Sequence, residues 1–220
     1  MTITLIFVVA IMATVIFWLL RQTINTKPWV TNAADDAVSG TSLDTSTKAI
    51  GLATFLAVAT SLFALFLSAY SLRMEEPDWT PVTEPSLLWL NTAILVLASL
   101  AYQWTRSVAL KGDNGKLRIG LTVAGGLTGV FLAGQLLVWR ELSESGVYVI
   151  SNPAYAFFFL LTAVHGLHML GGMWVWGRSA IRVWGGASAD SVRMSVELCT
   201  VYWHFLLLVW AVIFGLLLST

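Results

Sequence analysis

Long apolar segments alternate along the chain with short polar ones. A helical crossing of a bilayer takes about 20 apolar residues, because a helix rises about 1.5 Å per residue through hydrocarbon about 30 Å thick. Six segments approach or exceed this length, and they cover residues 3–20, 49–72, 86–104, 119–139, 153–176 and 196–218. The pattern predicts an all-α fold, a polytopic membrane helix bundle with six transmembrane helices.

The first apolar segment, 3–20, is interpreted as a retained helix rather than a cleaved signal peptide. It lacks the basic start and the Ala-x-Ala exit of a secretory signal. A polar stretch at 22–48 follows it. We therefore expect two parts, with an extra N-terminal transmembrane helix and a cytoplasmic loop in residues 1–48 and a five-helix membrane domain in residues 49–220.

Composition places the chain in a membrane and excludes several classes of protein. Hydrophobic residues make up 57% of it and charged residues only 11%, against about 25% charged in a soluble domain. The formal net charge is zero, which argues against a nucleic-acid partner. The single cysteine, Cys199, lies inside an apolar segment and excludes a disulfide framework or a thiol metal site.

The distribution of basic residues predicts the orientation in the membrane. If six helices alternate, the loops at 21–48, 106–118 and 178–193 share one side, and they hold ten of the twelve Lys and Arg residues. The positive-inside rule makes that side cytoplasmic. Both termini are then extracytoplasmic.

The last two apolar segments carry the candidate chemistry of the chain. They hold all three histidines and the only carboxylate inside an apolar run, namely His165, His168, Glu197 and His204. His165 and His168 are one turn apart on one face, and His168 and His204 are expected at a similar depth. Glu197 is expected to pair with Trp174, Arg178 or a neighbouring polar group. Polar groups in hydrocarbon are costly unless neighbours satisfy them or function uses them.

Three interpretations of these four residues compete. Haem or metal ligation needs ligands that face one another, but two of the histidines share one helix and no Glu-x-x-His unit is present. A proton path needs more intramembrane acids than Glu197 alone. Hydrogen bonds that hold the two helices together need nothing more. We therefore predict an intramembrane polar network without catalytic, cofactor-binding or metal-binding residues.

The chain resembles subunit III of haem-copper oxidases, the cytochrome c oxidase type. The matching residues are Asn152-Pro153, Tyr155, Thr162, His165-Gly-Leu-His168, Gly172, Val196-Glu197-Leu198, Tyr202-Trp203-His204-Phe205 and Val209-Trp210, with Trp89, Asn91-Thr92, Phe63-Ala64 and Ser68 to Tyr70 upstream. The resemblance covers about residues 48 to 218. Five of the six predicted helices would thus be a core similar to subunit III.

This resemblance implies a non-catalytic subunit of a respiratory terminal oxidase in the bacterial plasma (inner) membrane. The complex would reduce oxygen with proton translocation, and the catalytic subunit I and other partner subunits would hold its haem and copper. Subunit III of this family stabilises the catalytic subunit and holds phospholipid. The family's lipid-contacting arginine falls on Arg182.

The chain also departs from the family pattern. The carboxylate that the family commonly has midway along the helix matching 49–72 is absent from Ala59 to Ser61, and Leu207 replaces the family's aspartate. Subunit III of a quinol oxidase or of a nitric oxide reductase-like complex is the alternative, because the electron donor binds elsewhere. A small transporter would require a more polar lining or an internal repeat, and we find neither.

Overall fold

The computed structural model describes residues 42–82, 85–146 and 152–219, with side chains from residue 48 onward. Five helices run through these residues: α1 (Ser42–Arg73), α2 (Leu87–Leu110), α3 (Asn114–Glu144), α4 (Pro153–Trp184) and α5 (Ala189–Leu218). All five are long and apolar enough to cross a membrane. The predicted all-α membrane fold is confirmed for these five helices. The predicted helix at 3–20 lies outside the described residues.

Two of the predicted basic loops, 106–118 and 178–193, are shorter than predicted. The loop predicted at 106–118 is a turn at 111–113, and the loop predicted at 178–193 is a turn at 185–188. Their charged residues continue the helices, because Lys and Arg stems can lie along a helix while the charge reaches the headgroups. Each turn contains a glycine with a positive φ, +71° at Gly112 and +95° at Gly186, a conformation that side chains with a Cβ rarely adopt.

The chain divides into two compact units, Met1–Ser71 and Leu72–Thr220. In the described part of the first unit, α1 buries one stripe of residues, Leu56, Ala59, Phe63, Leu67 and Tyr70. Their spacing of three and four residues places them on one helical face. The boundary predicted at residue 48 stays a prediction.

The second unit is a four-helix bundle in which consecutive helices are antiparallel. In this bundle α3 packs against α2 and α4, and α5 packs against α2 and α4. Tryptophan N–H groups join helices both across the bundle, from α5 to α3, and between the neighbours α5 and α2. Trp203 Nε1 donates to Thr128 Oγ1 at 3.0 Å, and Trp210 Nε1 donates to Thr92 Oγ1 at 2.9 Å. Both indoles are fully buried. Their apolar rings pack in the bundle interior while their N–H groups are hydrogen-bonded.

Glycines allow the helices of this bundle to approach closely. A Cβ on Gly125 would overlap the Trp176 ring, and one on Gly172 would lie 2.6 Å from Trp203 Cζ3. Gly125, Gly129 and Ala133 form a stripe of small residues spaced four apart, a pattern that predicts close helix packing. Nothing lies within 4 Å of a Cβ built on Gly129, so within this bundle only Gly125 of the two stripe glycines makes a close approach.

The ends of the helices are held by side chains near the turns. Asp113 caps α3 by accepting from the Lys116 amide at 3.0 Å, and Asn114 Oδ1 accepts from the Ala189 amide at 2.8 Å. The second bond ties the turn before α3 to the turn before α5. The amide and the side chain of Lys116 lower the pKa of the Asp113 carboxyl. Ser86, the residue before α2, makes no capping hydrogen bond, because its backbone is already helical.

Replacing Asn152 with alanine is expected to destabilise the start of α4 by about 1 kcal/mol, the usual loss for a helix cap. Asn152 Oδ1 accepts from the Ala154 amide at 2.9 Å, and Nδ2 donates to the Thr80 carbonyl at 2.6 Å. Thermal unfolding of the purified protein measures the loss. Asn152→Asp keeps the acceptor but not the donor, so it should retain part of the stability. If both variants unfold alike, the Thr80 bond carries the effect and the cap does not.

Candidate functional site

His165 lies in the centre of the bundle with only 1% of its surface exposed. Its ring packs against Trp210 at a centroid distance of 5.3 Å and edge-on against Phe131 at 6.0 Å. Neither ring nitrogen has a hydrogen-bond partner among the described residues. His165 is therefore surrounded by aromatic rings and is not hydrogen-bonded to another histidine.

His204 joins α5 to α2 rather than to α4. Its Nδ1 lies 2.5 Å from the Ser99 hydroxyl, and its Nε2 lies 3.2 Å from Gln103 Oε1. Because an amide oxygen only accepts, Nε2 donates to Gln103 and the Ser99 hydroxyl donates to Nδ1 of the neutral ring. Ser99 and Gln103 are one turn apart on α2, so the histidine is held at two points.

His168 is linked to α5 through its backbone. The Tyr202 hydroxyl donates to the His168 carbonyl at 2.8 Å, and His168 Nδ1 donates to the Val164 carbonyl of its own helix at 2.8 Å. The predicted hydrogen bonding between these two helices is therefore present, but Tyr202 provides it.

Glu197 is paired within its own helix. Arg193 Nε donates to Glu197 Oε1 at 3.2 Å, one turn along α5. Among the described residues, Glu197 has no hydrogen bond or ion pair with the predicted partners Trp174 and Arg178, and Trp174 is 72% exposed. An exposed pair at this spacing contributes little stability.

The hydrogen bonds and ion pairs described for the four predicted residues lead to different partners. His165 has no hydrogen bond among the described residues, His204 is directed at α2, and Glu197 is paired with Arg193. The predicted intramembrane polar network of His165, His168, Glu197 and His204 stays a prediction. In the part of the chain that the structure describes, no three His, Cys, Asp or Glu residues lie close enough together to hold a metal ion.

A basic groove lies between the adjacent ends of α4 and α5. Its volume is about 410 Å³, and it is lined by Trp174, Val175, Arg178, Ser179, Arg182 and Ser195. Arg178 and Arg182 are one turn apart and exposed. Within the described residues neither guanidinium has an ion pair. The groove therefore combines two unneutralised cations, two hydroxyls and an apolar wall, a suitable environment for a phosphate attached to a lipid.

Sequence analysis missed a buried amide pair between α2 and α3. Asn91 Nδ2 donates to Gln135 Oε1 at 3.3 Å, and the two side chains are 1% and 5% exposed. Gly134 makes room for the contact, because a Cβ there would overlap the Asn91 amide. The sequence signal that could have predicted this pair was an amide side chain inside each of the predicted spans 86–104 and 119–139.

Comparisons with known proteins identify the relatives of this chain. A family model described as cytochrome c oxidase subunit III matches residues 1–218. This match is wider than the resemblance at 48–218 and includes the N-terminal stretch. The subunit 3 of cytochrome c oxidase from Synechocystis sp. is 33% identical over 178 residues, which cover 76% of this chain and 73% of the relative.

Two further relatives have lower identity. A probable cytochrome c oxidase subunit 3 from Nocardia farcinica is 29% identical over 76% of this chain and 82% of its own length. Subunit 3 of the cytochrome bo(3) ubiquinol oxidase of Pseudomonas aeruginosa is 27% identical over 70% of this chain and 75% of its own length. Relatives with two different electron donors therefore match the chain.

Proposed function

Because the chain belongs to the cytochrome c oxidase subunit III family, we propose that it is the non-catalytic subunit III of a respiratory haem-copper terminal oxidase. The observation that carries this proposal is the family match over residues 1–218. The oxidase would reduce oxygen with proton translocation. This chain would contribute a membrane scaffold, while haem and copper reside in partner subunits.

The proposed role is to stabilise the catalytic subunit I by packing against it within the bilayer. Long exposed apolar side chains cover the outer faces of the bundle, including Leu136 at 62%, Leu167 at 67% and Ile181 at 73%. Lipid or a partner helix can cover such surfaces. The chain would lie in the bacterial inner membrane with six spans, the first at 3–20, and with both termini outside the cytoplasm.

Affinity purification of a tagged copy from native membranes tests the role. In mild detergent the chain should bring down a complex with the visible spectrum of a haem-copper oxidase. A stable chain that purifies alone and without colour would contradict the proposal. The measurement requires no substitution in the chain, only an affinity tag.

The second candidate is subunit III of a quinol oxidase. The similarity to the cytochrome bo(3) ubiquinol oxidase subunit of Pseudomonas aeruginosa favours it. The same purified complex separates the two candidates, since it oxidises either reduced cytochrome c or a quinol. The haem type in the spectrum gives an independent answer.

We assign the phospholipid of this subunit to the basic groove between α4 and α5. Arg182, the residue implied by the family resemblance, lines it together with Arg178, Ser179 and Ser195. The arginines can hold a phosphodiester while the acyl chains follow the exposed apolar faces, among them Ile181. Each basic residue near an anionic surface contributes about 1 kcal/mol.

Replacing both Arg178 and Arg182 with alanine should weaken phosphatidylglycerol binding. At about 1 kcal/mol per arginine, the loss is roughly 25-fold for the pair and roughly fivefold for either single variant. Native mass spectrometry of the delipidated complex, titrated with phosphatidylglycerol and with phosphatidylcholine, measures it.

Arg118→Ala is the matched control, because Arg118 is exposed and does not line the groove. This variant should bind phosphatidylglycerol like the wild type. If Arg118→Ala and the groove variants lose the same affinity, general charge attraction explains the binding. The lipid would then have no defined site here.

A further inference from the structure

Three of the buried polar side chains in the bundle have hydrogen-bonding groups without a partner and lie close to one level. Among the described residues, Asn91 Oδ1, Gln135 Nε2 and both ring nitrogens of His165 have no partner. The exposed fractions of these side chains are 1%, 5% and 1%. They come from α2, α3 and α4, so three helices contribute polar atoms without a hydrogen-bond partner.

The three side chains lie at one level of the bundle, as the contacts of Trp210 show. This indole donates to Thr92, the neighbour of Asn91 in α2, at 2.9 Å. It also packs on His165 at 5.3 Å and on Phe131 at 5.0 Å. Phe131 is one turn from Gln135 in α3, and Gln135 is bonded to Asn91 at 3.3 Å. His165 therefore contacts the aromatic pair Phe131 and Trp210, and Asn91 and Gln135 lie on the helical turns next to that pair.

The unsatisfied atoms need a ligand that both donates and accepts. A single hydrogen bond between two amides leaves one carbonyl oxygen and one NH₂ group without a partner. The same is true if the oxygen and nitrogen positions are exchanged in both amides. A neutral imidazole adds one N–H donor and one acceptor nitrogen. Donors and acceptors are thus balanced, and no charged group is required.

Leaving these atoms unpaired would be costly. An amide without a partner in an apolar interior costs about 1–3 kcal/mol by mutational measurement, and a membrane protein interior offers no bulk water. Buried waters typically make about three hydrogen bonds to such groups. We propose that this layer is an internal hydration site, in which ordered water binds Asn91, Gln135 and His165.

Radiolytic hydroxyl-radical labelling of the detergent-solubilised wild-type complex tests the site. Ionising a bound water produces a radical that oxidises the adjacent side chain even when bulk solvent cannot reach it. Phe131 is next to the proposed site, and Phe158 is an equally buried phenylalanine on α4, with both at 0% exposure. We expect Phe131 to be oxidised at least about tenfold faster than Phe158, since only Phe131 would adjoin bound water. Equal rates would overturn the proposal.

A variant lacking both amides, Asn91→Leu with Gln135→Leu, tests which groups hold the water. Leucine has the same number of side-chain heavy atoms as asparagine and one fewer than glutamine, so the packing is disturbed little. The rate at Phe131 should fall to within about twofold of the rate at Phe158, because a site without polar partners stays dry. Rapid oxidation of Phe131 in this variant would mean that the amides do not hold water. If the variant does not assemble, the wild-type comparison still decides the proposal.

Discussion

Replacing Gly172 with valine is expected to force α4 away from α5 and to prevent stable assembly. A Cβ at Gly172 would lie 2.6 Å from Trp203 Cζ3 and 2.7 Å from Tyr202 Cε1. Neither ring can move freely, because Trp203 is bonded to Thr128 and Tyr202 to the His168 carbonyl. Overpacking of a close-packed interior costs about 1–3 kcal/mol and sometimes more. Because both rings are held by hydrogen bonds, we expect the destabilisation at Gly172 to lie at the upper end of this range. The yield of intact complex on size-exclusion chromatography measures the effect.

Gly171→Val is the matched control for this prediction. Gly171 is the preceding residue of the same helix, it is exposed, and nothing lies within 4 Å of its Cβ position. Both substitutions carry the same intrinsic helix propensity. Gly171→Val should therefore give a near-normal yield. A similar loss in both variants would attribute the effect to β-branching in α4 rather than to the contact with α5.

Trp203→Ala is expected to cost about 4 kcal/mol of unfolding free energy, the middle of the range for large aromatic residues in cores. The indole is 0% exposed, lies 4.4 Å from the Tyr102 ring and donates to Thr128. Its loss leaves a cavity and removes the partner of a buried hydroxyl. For a chain of this length the melting temperature should fall by about 10 °C, measured by differential scanning fluorimetry.

Trp184→Ala is the control, because it removes an exposed tryptophan instead of a buried one. Trp184 is 61% exposed at the end of α4, and substitutions at such positions usually change stability by less than about 0.5 kcal/mol. Trp203→Phe keeps most of the apolar area without the N–H donor and should fall between the two. A Trp203→Phe protein as unstable as Trp203→Ala would assign the stability to the hydrogen bond instead of the packing.

The helices from residue 42 onward were predictable because hydrocarbon thickness imposes a length on apolar segments. Pro153 at the start of α4 was also predictable, since its missing N–H is tolerated there. The ends of the helices were not. Arg106, Arg182 and Arg193 were assigned to loops by charge, but they continue helices because long basic side chains do not need to leave the helix to reach water.

The candidate site was predicted in composition but not in geometry. The pairing of Arg193 with Glu197 was readable from its spacing of four residues. The pairing of His204 with Ser99 was not, because it joins residues 105 positions apart and depends on which helices are neighbours. Asn91 and Gln135 were not predicted, because the prediction rested on titratable residues, whereas burial without a partner is costly for an amide as well.

The short turns at 111–113 and 185–188 affect the order in which the bundle forms. They make hairpins of α2 with α3 and of α4 with α5, whose contacts join residues close in sequence. Such local contacts form early, because closing a short loop costs little chain entropy. The bond between Thr92 and Trp210 joins residues 118 positions apart. It can form only after α5 has been synthesised, so two inserted hairpins should dock last, with the Trp210 layer as the final contact.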